Sequence, residues 1–518
     1  MTAAATPGPP ILPAGQEPGP ADGDAPALPG AVWVVAGLAA GVLAAFGGGY
    51  GYHRDELYFQ AAGRHPAFGY PDQPPLVPLL AAGLDAVDGG SLWVFRLVPA
   101  LLVAATAVLA ALTSRELGGS TRDRTWTAAA VVLCSTVLGA GHLFSTTTFD
   151  LALTTACVLM LVRAVAAPER LWRWVALGGV AAVALEVKTL PATVLLCCGV
   201  GLLVAGPRRV LLRPGIWLAA GIAVAGAAPN LLWQAAHGWP QLAVARAIAE
   251  GSSGSSVGRG LVVPLQLELT GPVPAVPFVA GLVVLLSAAR ARPWRWLAVA
   301  YLVMLAFVII TGGKPYYLLG FVPAVVAAGI PPVRAWLGRG RVWLRRGAAV
   351  LLIAVQAAVS AVIALPVVPV TALASTPVVD INYDAGETVG WEAFTATVER
   401  ALAAVPVEQR AGLVVVTSNY GEAGALDRAR REGAPIPPVY SGHNAYGLWG
   451  PPPGASSPVL VVGYDAVELG PLFRGCRLLA RVDNGYGLDN DEQGASVRVC
   501  AAPAKPWPEI WPEIRFLA

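Results

Sequence analysis

Apolar runs of about 20 residues recur along this 518-residue chain, separated by short charged or Pro/Gly-rich breaks. A helix of that length crosses about 30 Å of hydrocarbon, which is the thickness of a bilayer core. Hydrophobic residues make up 56% of the sequence and the mean hydropathy is +0.61, which is more apolar surface than a soluble core can hide. The sequence therefore predicts a polytopic α-helical membrane protein.

We predict about eleven membrane-spanning helices. They are placed at residues 31–46, 92–112, 126–140, 151–166, 171–187, 190–205, 214–233, 262–289, 296–311, 317–330 and 348–368. Arginines are concentrated in alternate gaps between these spans, as in short cytoplasmic loops. This pattern predicts a cytoplasmic N-terminus and places everything after about residue 369 outside.

Composition divides the chain into three parts. Residues 1–30 are rich in Ala, Pro and Gly, carry acids without bases, and lack the basic start of a signal peptide, which predicts a disordered cytoplasmic tail. Residues 31–369 are the predicted membrane domain. Residues 370–518 hold about 17 acids and about 11 bases, and their apolar segments are only strand-length, which predicts an extracytoplasmic α/β domain. Its expected strands are 413–417, 459–463, 478–482 and 496–500, and its expected helices are 391–404 and 422–431.

The cysteines follow this division. Cys476 and Cys500 lie by two neighbouring predicted strands in an oxidising compartment, so we expect a disulfide between them. The other four cysteines lie in apolar spans, where small buried residues need no function.

Sequence fingerprints for common cofactors are missing. There is no metal-ligand spacing, P-loop or dinucleotide motif, so no cofactor is predicted with certainty, and a divalent cation is left open. Topology accounts for the arginines and the C-terminal part is acidic, which argues against a nucleic-acid surface.

The loop between the first two spans, GYHRDELYFQAAGRHPAFGYPDQPPL, is the densest polar segment near the membrane. We expect a short helix at 55–63 with Asp55 at its start, where the helix dipole keeps a carboxylate ionised. Asp150 ends GHLFSTTTFD, at the head of the next long apolar helix on the same side. These acids either cap helices or do general-base work on a hydroxyl.

Lysine is rare in this chain, which makes Lys188 and Lys314 conspicuous at the outer ends of spans. They are either snorkelling helix-end residues or part of a phosphate site, for which Tyr316 and Tyr317 supply hydroxyl donors. The loop with His237 has interfacial tryptophans that are typical of membrane anchoring, and the Gly/Ser run after it is either a gate or a linker.

These segments resemble the lipid-linked-sugar transferases of glycosyltransferase family 39, which have the GT-C fold. The likeness runs through RDELYF, GYPDQPPL, STTTFD, EVKTLP, APNLLWQAAHGWP and TGGKPYYL, and after residue 370 through NYDAGETVGW, SNYGEAGAL, YSGHNAYGLWGPP and DNGYGLDNDEQG. The resemblance implies a multi-pass protein of the bacterial plasma membrane, in contact with its lipids. It also implies a polyprenyl-phosphate monosaccharide donor, an extracytoplasmic active site and inversion at the sugar carbon.

The resemblance also implies roles for particular residues. The implied catalytic residues are Asp55 as the base, Glu56 completing the acidic pair, and Asp150. The implied donor-phosphate residues are Lys314, Tyr316, Tyr317 and Lys188. The predicted acceptor or loop residues are Arg54, Asp72, Gln73 and His237. Gln73 stands where better-known relatives have His or Lys, so no phosphate contact is assigned to it.

Two other functions are compatible with many apolar helices. One is a transporter or flippase of a lipid-linked substrate, although inverted repeats are not evident and the polar residues cluster at one interface instead of the midplane. The other is a noncatalytic sensor whose outer domain binds glycans. The acceptor, whether lipid, cell-wall glycan or protein, is open.

Overall fold

The computed structural model describes residues 27–251 and 256–517. Most of the predicted disordered tail, residues 1–26, and the middle of the Gly/Ser run, residues 252–255, lie outside the described residues. The helices up to residue 364 are α1 (Gly30–Phe46), α2 (Arg54–Arg64), α3 (Leu76–Asp88), α4 (Leu92–Glu116), α5 (Thr121–Val132), α6 (Ser135–His142), α7 (Thr146–Ala166), α8 (Leu171–Leu185), α9 (Leu190–Ala205), α10 (Pro214–Ala236), α11 (Pro240–Ala249), α12 (Val262–Thr270), α13 (Pro272–Ser287), α14 (Arg295–Thr311), α15 (Val322–Leu337) and α16 (Val342–Ala364).

The apolar helices make this a multi-pass membrane protein. Within the described residues, six helices are long and apolar enough to cross a bilayer, or up to eight if each of two bent pairs is one span. Three shorter apolar helices, α1, α8 and α9, also match predicted spans. The count of about eleven therefore stays a prediction, because length and composition alone support six to eight.

Two predicted spans are broken by sharp bends. Helices α5 and α6 meet at 62°, and α12 and α13 meet at 114°. At the second bend Gly271 has φ +81° and packs directly against the side chain of Gln356, so a Cβ atom would clash there. Pro272 then begins α13, where its fixed φ suits the first turn of a helix.

The C-terminal region, residues 370–517, combines helices with a small sheet. Its helices are α17 (Val370–Leu373), α18 (Val378–Ile381), α19 (Tyr383–Gly386), α20 (Trp391–Ala403), α21 (Tyr420–Arg431), α22 (Asn444–Trp449), α23 (Ala466–Leu472) and α24 (Trp507–Ile514). Its strands are β1 (Val414–Thr417), β2 (Val439–Ser441), β3 (Val459–Val462), β4 (Phe473–Arg474), β5 (Arg477–Arg481), β6 (Ser496–Cys500) and β7 (Ala502–Pro503). The predicted mixture of helix and strand is confirmed, whereas the domain boundary near residue 369 stays a prediction.

The main sheet has the strand order β2-β1-β3-β6-β5. Strands β2, β1 and β3 are parallel, whereas β6 is antiparallel to both β3 and β5. Helix α20 and helix α21 cover one face, and α23 and α24 cover the other. The register pairs Arg477 with Val499, so Cys476 faces Cys500, and the two form a disulfide.

Helix α2 lies along α21 and joins the membrane helices to the C-terminal region. A Cβ atom on Gly421 would come within 2.9 Å of Arg54, and one on Gly424 within 2.9 Å of Leu57. These two glycines are three residues apart, on one face of α21, so they let the two helix backbones approach closely. This contact brings the first polar loop against the carboxyl ends of the parallel strands.

Candidate active site

Helix α2 begins in a capping box that orders the predicted catalytic loop. The His53 imidazole accepts a hydrogen bond from the backbone N–H of Asp55 at 3.2 Å. The Glu56 side chain accepts one from the backbone N–H of His53 at 2.8 Å. Both bonds satisfy donors that a helix start leaves unpaired. The predicted helix at 55–63 is confirmed as Arg54–Arg64, and Asp55 lies in its first turn.

Asp55 is held by a tyrosine from the C-terminal region. The Tyr420 hydroxyl donates a hydrogen bond to Oδ1 of Asp55 at 2.7 Å. Tyr420 is the first residue of α21, and Asn419 caps that helix by accepting from the N–H of Glu422 at 2.9 Å. Among the described residues no hydrogen bond reaches Oδ2 of Asp55, so this oxygen is available to a ligand hydroxyl.

Glu56 is held inside the protein, and the catalytic role that the resemblance implied for it stays a prediction. Its side chain is fully buried. The Arg96 guanidinium binds it through two bonds of 3.0 and 2.9 Å, and the backbone N–H of Phe144 donates to it at 2.9 Å. Both carboxylate oxygens of Glu56 thus accept hydrogen bonds from within the protein. Glu56 therefore fixes the first loop on α4.

Arg54 points from the same helix turn into the C-terminal region. Its guanidinium forms ion pairs with Glu387 at 3.3 Å and with Asp491. It also lies 5.1 Å from the centre of the Tyr420 ring. Arg54 thus contacts the ring of Tyr420, whose hydroxyl donates a hydrogen bond to Asp55.

The remaining predicted loop residues lie around the site at different depths. Asp72 accepts a hydrogen bond from the Tyr58 hydroxyl at 2.7 Å, and burial raises the pKa of its carboxyl to about 7. Gln73 is buried, and its Nε2 has no hydrogen-bond partner among the described residues. His237 is exposed and stacks on Trp233 of its own helix at 4.0 Å, which favours the anchoring interpretation for this segment.

Asp150 lies inside its helix and does not cap it. Ser145 is the N-cap residue of α7, so the capping alternative for Asp150 was wrong. The buried Asp150 carboxylate accepts a hydrogen bond from the Thr154 hydroxyl at 3.0 Å. Burial lowers the pKa of Lys188, and the negative charges of Asp150 and Asp55 oppose this shift. Lys188 therefore lies within electrostatic reach of both predicted acids.

Two lysines flank the tyrosines at the start of the turn Pro315–Phe321. The Nζ atom of Lys188 lies 5.5 Å from the ring centre of Tyr316 and 5.2 Å from that of Tyr317. The Nζ atom of Lys314 lies 5.8 Å from the ring centre of Tyr316. Burial and the nearby Lys188 charge lower the pKa of Lys314 to about 8, against the opposing charges of Asp55 and Asp384. Lys188 and Lys314 thus both lie near the Tyr316 ring. The carboxylate of Asp55 lies within electrostatic reach of both lysines.

The structure adds three residues to which the sequence assigned no role. Tyr420 and Asp384 lie in the quoted segments SNYGEAGAL and NYDAGETVGW, which was the available signal, and His53 precedes α2. The His53 Nε2 lies 3.6 Å from a carboxylate oxygen of Asp384. Burial lowers the pKa of His53, but Asp384 and the other nearby acids raise it more, to about 9. The His53 ring thus lies between the backbone N–H of Asp55 and the carboxylate of Asp384.

Among residues 27–251 and 256–517, no group of three or more His, Cys, Asp or Glu side chains could hold a metal ion. The divalent cation left open by the sequence stays untested.

Comparison with known proteins supports the resemblance. Residues 72–233 match the family model described as dolichyl-phosphate-mannose-protein mannosyltransferase. The crystal structure of ArnT from Cupriavidus metallidurans bound to undecaprenyl phosphate has a TM-score of 0.57 and 16% identity, covering 91% of this chain and 98% of that chain. The predicted resemblance is confirmed. The chain shares the fold of ArnT.

Other matches add less. ArnT in the apo state gives a TM-score of 0.55 at 16% identity, covering 91% of this chain and 97% of that chain. The oligosaccharyltransferase AglB from Archaeoglobus fulgidus gives 0.46 at 12% identity, covering 77% of this chain and 63% of that chain. No curated protein matches the sequence. Together the family match and the fold support a membrane glycosyltransferase, with its donor and acceptor unspecified.

Proposed function

We propose that this chain transfers a monosaccharide from a polyprenyl-phosphate donor to a hydroxyl of an extracytoplasmic acceptor, with inversion at the sugar carbon. The observation that carries the proposal is one GT-C site in which a tyrosine-held carboxylate, Asp55, lies within electrostatic reach of Lys188 and Lys314. ArnT, which has the same fold, was solved with undecaprenyl phosphate, and this supports a lipid-phosphate donor here.

The lysines and tyrosines bind the donor phosphate in this proposal. Lys188 and Lys314 supply two positive charges beside Tyr316 and Tyr317, whose hydroxyls can donate to phosphate oxygens. The phosphate ester becomes a good leaving group when fixed cations match the charge that develops on it. Partial burial strengthens these interactions because less water screens them.

Asp55 activates the acceptor. Tyr420 holds Oδ1, and Oδ2 takes the proton of the acceptor hydroxyl as its oxygen attacks the anomeric carbon. The bond between that carbon and the phosphate oxygen breaks, and its electron pair leaves with the polyprenyl phosphate. The new glycosidic bond forms on the opposite face of the sugar. The negative charge of Asp150 attracts and so orients the ammonium group of Lys188. It also adds to the negative potential on the side of the site where the acceptor binds.

The proposed orientation follows from the two ends of α4. Arg96, near its start, binds Glu56 of the site loop, whereas Glu116, at its end, pairs with Arg163 at 3.0 Å. These positions are about 30 Å apart along the helix, at 1.5 Å per residue. The arginine-rich loops thus lie opposite the site, and the positive-inside tendency puts them in the cytoplasm. This supports a site outside the membrane, and the resemblance supports the bacterial plasma membrane as the location.

A membrane assay tests this function. Membranes from cells that express the wild type are incubated with radiolabelled undecaprenyl-phosphate sugars, and protein, lipid and wall glycan are then separated. We expect label in at least one fraction and none with Asp55→Asn. Equal labelling by that variant would remove the assignment of Asp55, and no wild-type transfer from any donor would argue against a transferase.

A further inference from the structure

A cavity of about 170 Å³ lies between the carboxyl-terminal turns of helices α2 and α21, away from the catalytic residues. We call it the arginine cavity. A space of about 10–15 Å³ holds one water molecule, so this cavity has room for a phosphate or carboxylate group and several waters. Its lining residues are Ala61, Arg64, His65, Asp427, Arg430 and Arg431.

Positively charged side chains outnumber negative ones around the arginine cavity. Arg64 and Arg431 form ion pairs with the same carboxylate, that of Asp85, and the Arg431 pair is 3.2 Å long. The second acid, Asp427, already accepts a hydrogen bond from the Tyr446 hydroxyl at 2.7 Å. Three arginine side chains therefore face two carboxylates.

Two of these arginines would be stabilised by an added anion. Arg430 is exposed, and its guanidinium forms no hydrogen bond or ion pair among the described residues. Burial and the neighbouring charge of Arg64 lower the pKa of Arg431, and the charge of Asp85 opposes this shift. A phosphate or carboxylate in the cavity would meet the unpaired guanidinium of Arg430 and reduce the repulsion between the other two cations.

Helix α3 indicates which side of the protein the arginine cavity faces. The exposed side chains Leu79, Leu80 and Val87 share one face of α3, and Asp85 is on the other. An exposed apolar helix face next to a membrane domain is typical of a helix that lies in the bilayer surface. Because Asp85 pairs with cavity arginines, the cavity lies on the side of α3 that faces away from the lipid. A group that projects from the membrane into water can reach it more easily than a phospholipid headgroup.

The surroundings of the cavity suit a glycan. The His65 ring, which lines the cavity, stacks on the Trp449 ring with their centres 4.1 Å apart. Aromatic rings of this kind offer a flat surface on which the C–H face of a sugar can pack. Asp55 and Arg64 belong to the same helix and are separated by about 14 Å along it, at 1.5 Å per residue. A ligand that spans from the cavity to Asp55 must therefore be larger than one monosaccharide.

We propose that the arginine cavity binds a phosphate or carboxylate group of the acceptor, and that the acceptor is an anionic glycan. The inference rests on the proposed function and narrows the acceptor class that it leaves open. The anion binds the guanidinium groups of Arg64, Arg430 and Arg431. A sugar ring packs on the neighbouring aromatic stack, and a hydroxyl farther along the glycan reaches Asp55.

Binding of small anionic sugars to the purified full-length protein tests the cavity directly. The protein is placed in phosphatidylcholine nanodiscs with excess undecaprenyl phosphate, which fills the proposed donor site. Saturation-transfer NMR then measures the affinities for glucose 6-phosphate, glucuronate and glucose. Arg430→Glu reverses the charge of the unpaired arginine, and Arg477→Glu makes the same change at an exposed position on strand β5 as the control.

We expect the wild type and the control to bind at least one of the two anionic sugars about tenfold or more tightly than glucose, since a charge-assisted bond contributes about 1.5–3 kcal/mol. The anion that binds identifies the group. Arg430→Glu should lose this preference. In the membrane assay of the proposed function, the labelled wild-type product should be a glycan that an anion exchanger retains. Arg430→Glu should lower its formation at least fivefold while the affinity for undecaprenyl phosphate changes less than twofold.

Four outcomes would overturn this inference and leave the proposed function standing. The wild type would bind all three sugars equally, Arg430→Glu would match the control, or the labelled product would be neutral or a protein. In the fourth, exchange of phosphatidylcholine for phosphatidylglycerol would abolish binding of the anionic sugars, because the cavity holds a phospholipid headgroup. No wild-type transfer from any donor would instead reject the proposed function, and this inference with it.

Discussion

The charged side chains at the two ends of the membrane helices are arranged differently. At the arginine end, defined by Glu116, Asp123, Arg163 and Arg334, each acid pairs directly with an arginine. At the site end, Lys188 and Lys314 both lie near the ring of Tyr316. Burial lowers the pKa of each of these two lysines. Cations kept close to one another are expensive unless an anion joins them. The arginine end therefore has one-to-one ion pairs, whereas the site end groups two lysines around one tyrosine ring within electrostatic reach of Asp55.

The largest expected effect comes from exchanging one carboxylate at each end. Asp55→Asn should lower the transfer rate by about 10²- to 10⁴-fold, the usual contribution of a general base. Asp123→Asn is the matched control at the arginine end and should keep at least half of the activity. The measurement is initial-rate transfer by purified protein. Equal losses in both variants would remove the functional difference between the ends.

The next effect concerns the donor phosphate. Lys314→Ala should weaken binding of undecaprenyl phosphate by about 10- to 100-fold, since a charge-assisted bond contributes about 1.5–3 kcal/mol. Arg334→Ala removes a cation from the arginine end and serves as the control. The measurement is the dissociation constant of each variant for undecaprenyl phosphate, obtained by titration. Unchanged affinity in Lys314→Ala would exclude this lysine from the phosphate site.

Tyr420 gives a smaller effect that tests the contribution of the C-terminal region. Tyr420→Phe removes one bond to Asp55 and should lower kcat about tenfold, the equivalent of about 1.4 kcal/mol. The KM for the donor should stay within twofold, because the phosphate contacts are untouched. Tyr440→Phe, on strand β2, is the control. A change in KM without a change in kcat would mean that Tyr420 acts on donor binding.

The smallest effect is a pH dependence. Lys314 has a lowered pKa of about 8 in the free protein, so it is charged below that pH and becomes neutral as the pH rises through it. Affinity for undecaprenyl phosphate should therefore be full near pH 7 and fall several-fold by about pH 9, where the phosphate is already fully ionised. Lys314→Arg should bind equally at both pH values. A flat wild-type profile would contradict the lowered pKa.

Some of this architecture follows from local sequence and some does not. Strands β1, β3 and β6 were predictable because short runs of Val and Leu have few other stable arrangements. Strand β2 has three residues and no apolar pattern of its own, so its neighbours decide its conformation. The break at Gly271 was missed because it leaves the mean apolar character of its window unchanged.

The arrangement of the site residues is also only partly predictable from local sequence. Asp55 and Glu56 are adjacent, and successive helical residues point about 100° apart. One therefore meets Tyr420 and the other Arg96, which composition alone cannot decide. The contact between Asp55 and Tyr420 joins positions 365 residues apart, and no local pattern encodes such a pairing. Lysine rarity did point to Lys188 and Lys314, because an unusual residue choice is visible without a fold.

The central claim is that Asp55 acts on the acceptor while Lys314 holds the donor. The most direct test measures, on one preparation of each variant, the dissociation constant for undecaprenyl phosphate and the single-turnover rate at saturating donor. Asp55→Asn should lose the rate and keep wild-type affinity, and Lys314→Ala should lose affinity in excess of any loss in rate. If Asp55→Asn loses affinity and rate together, or if Lys314→Ala loses only rate, the proposed division of roles is wrong.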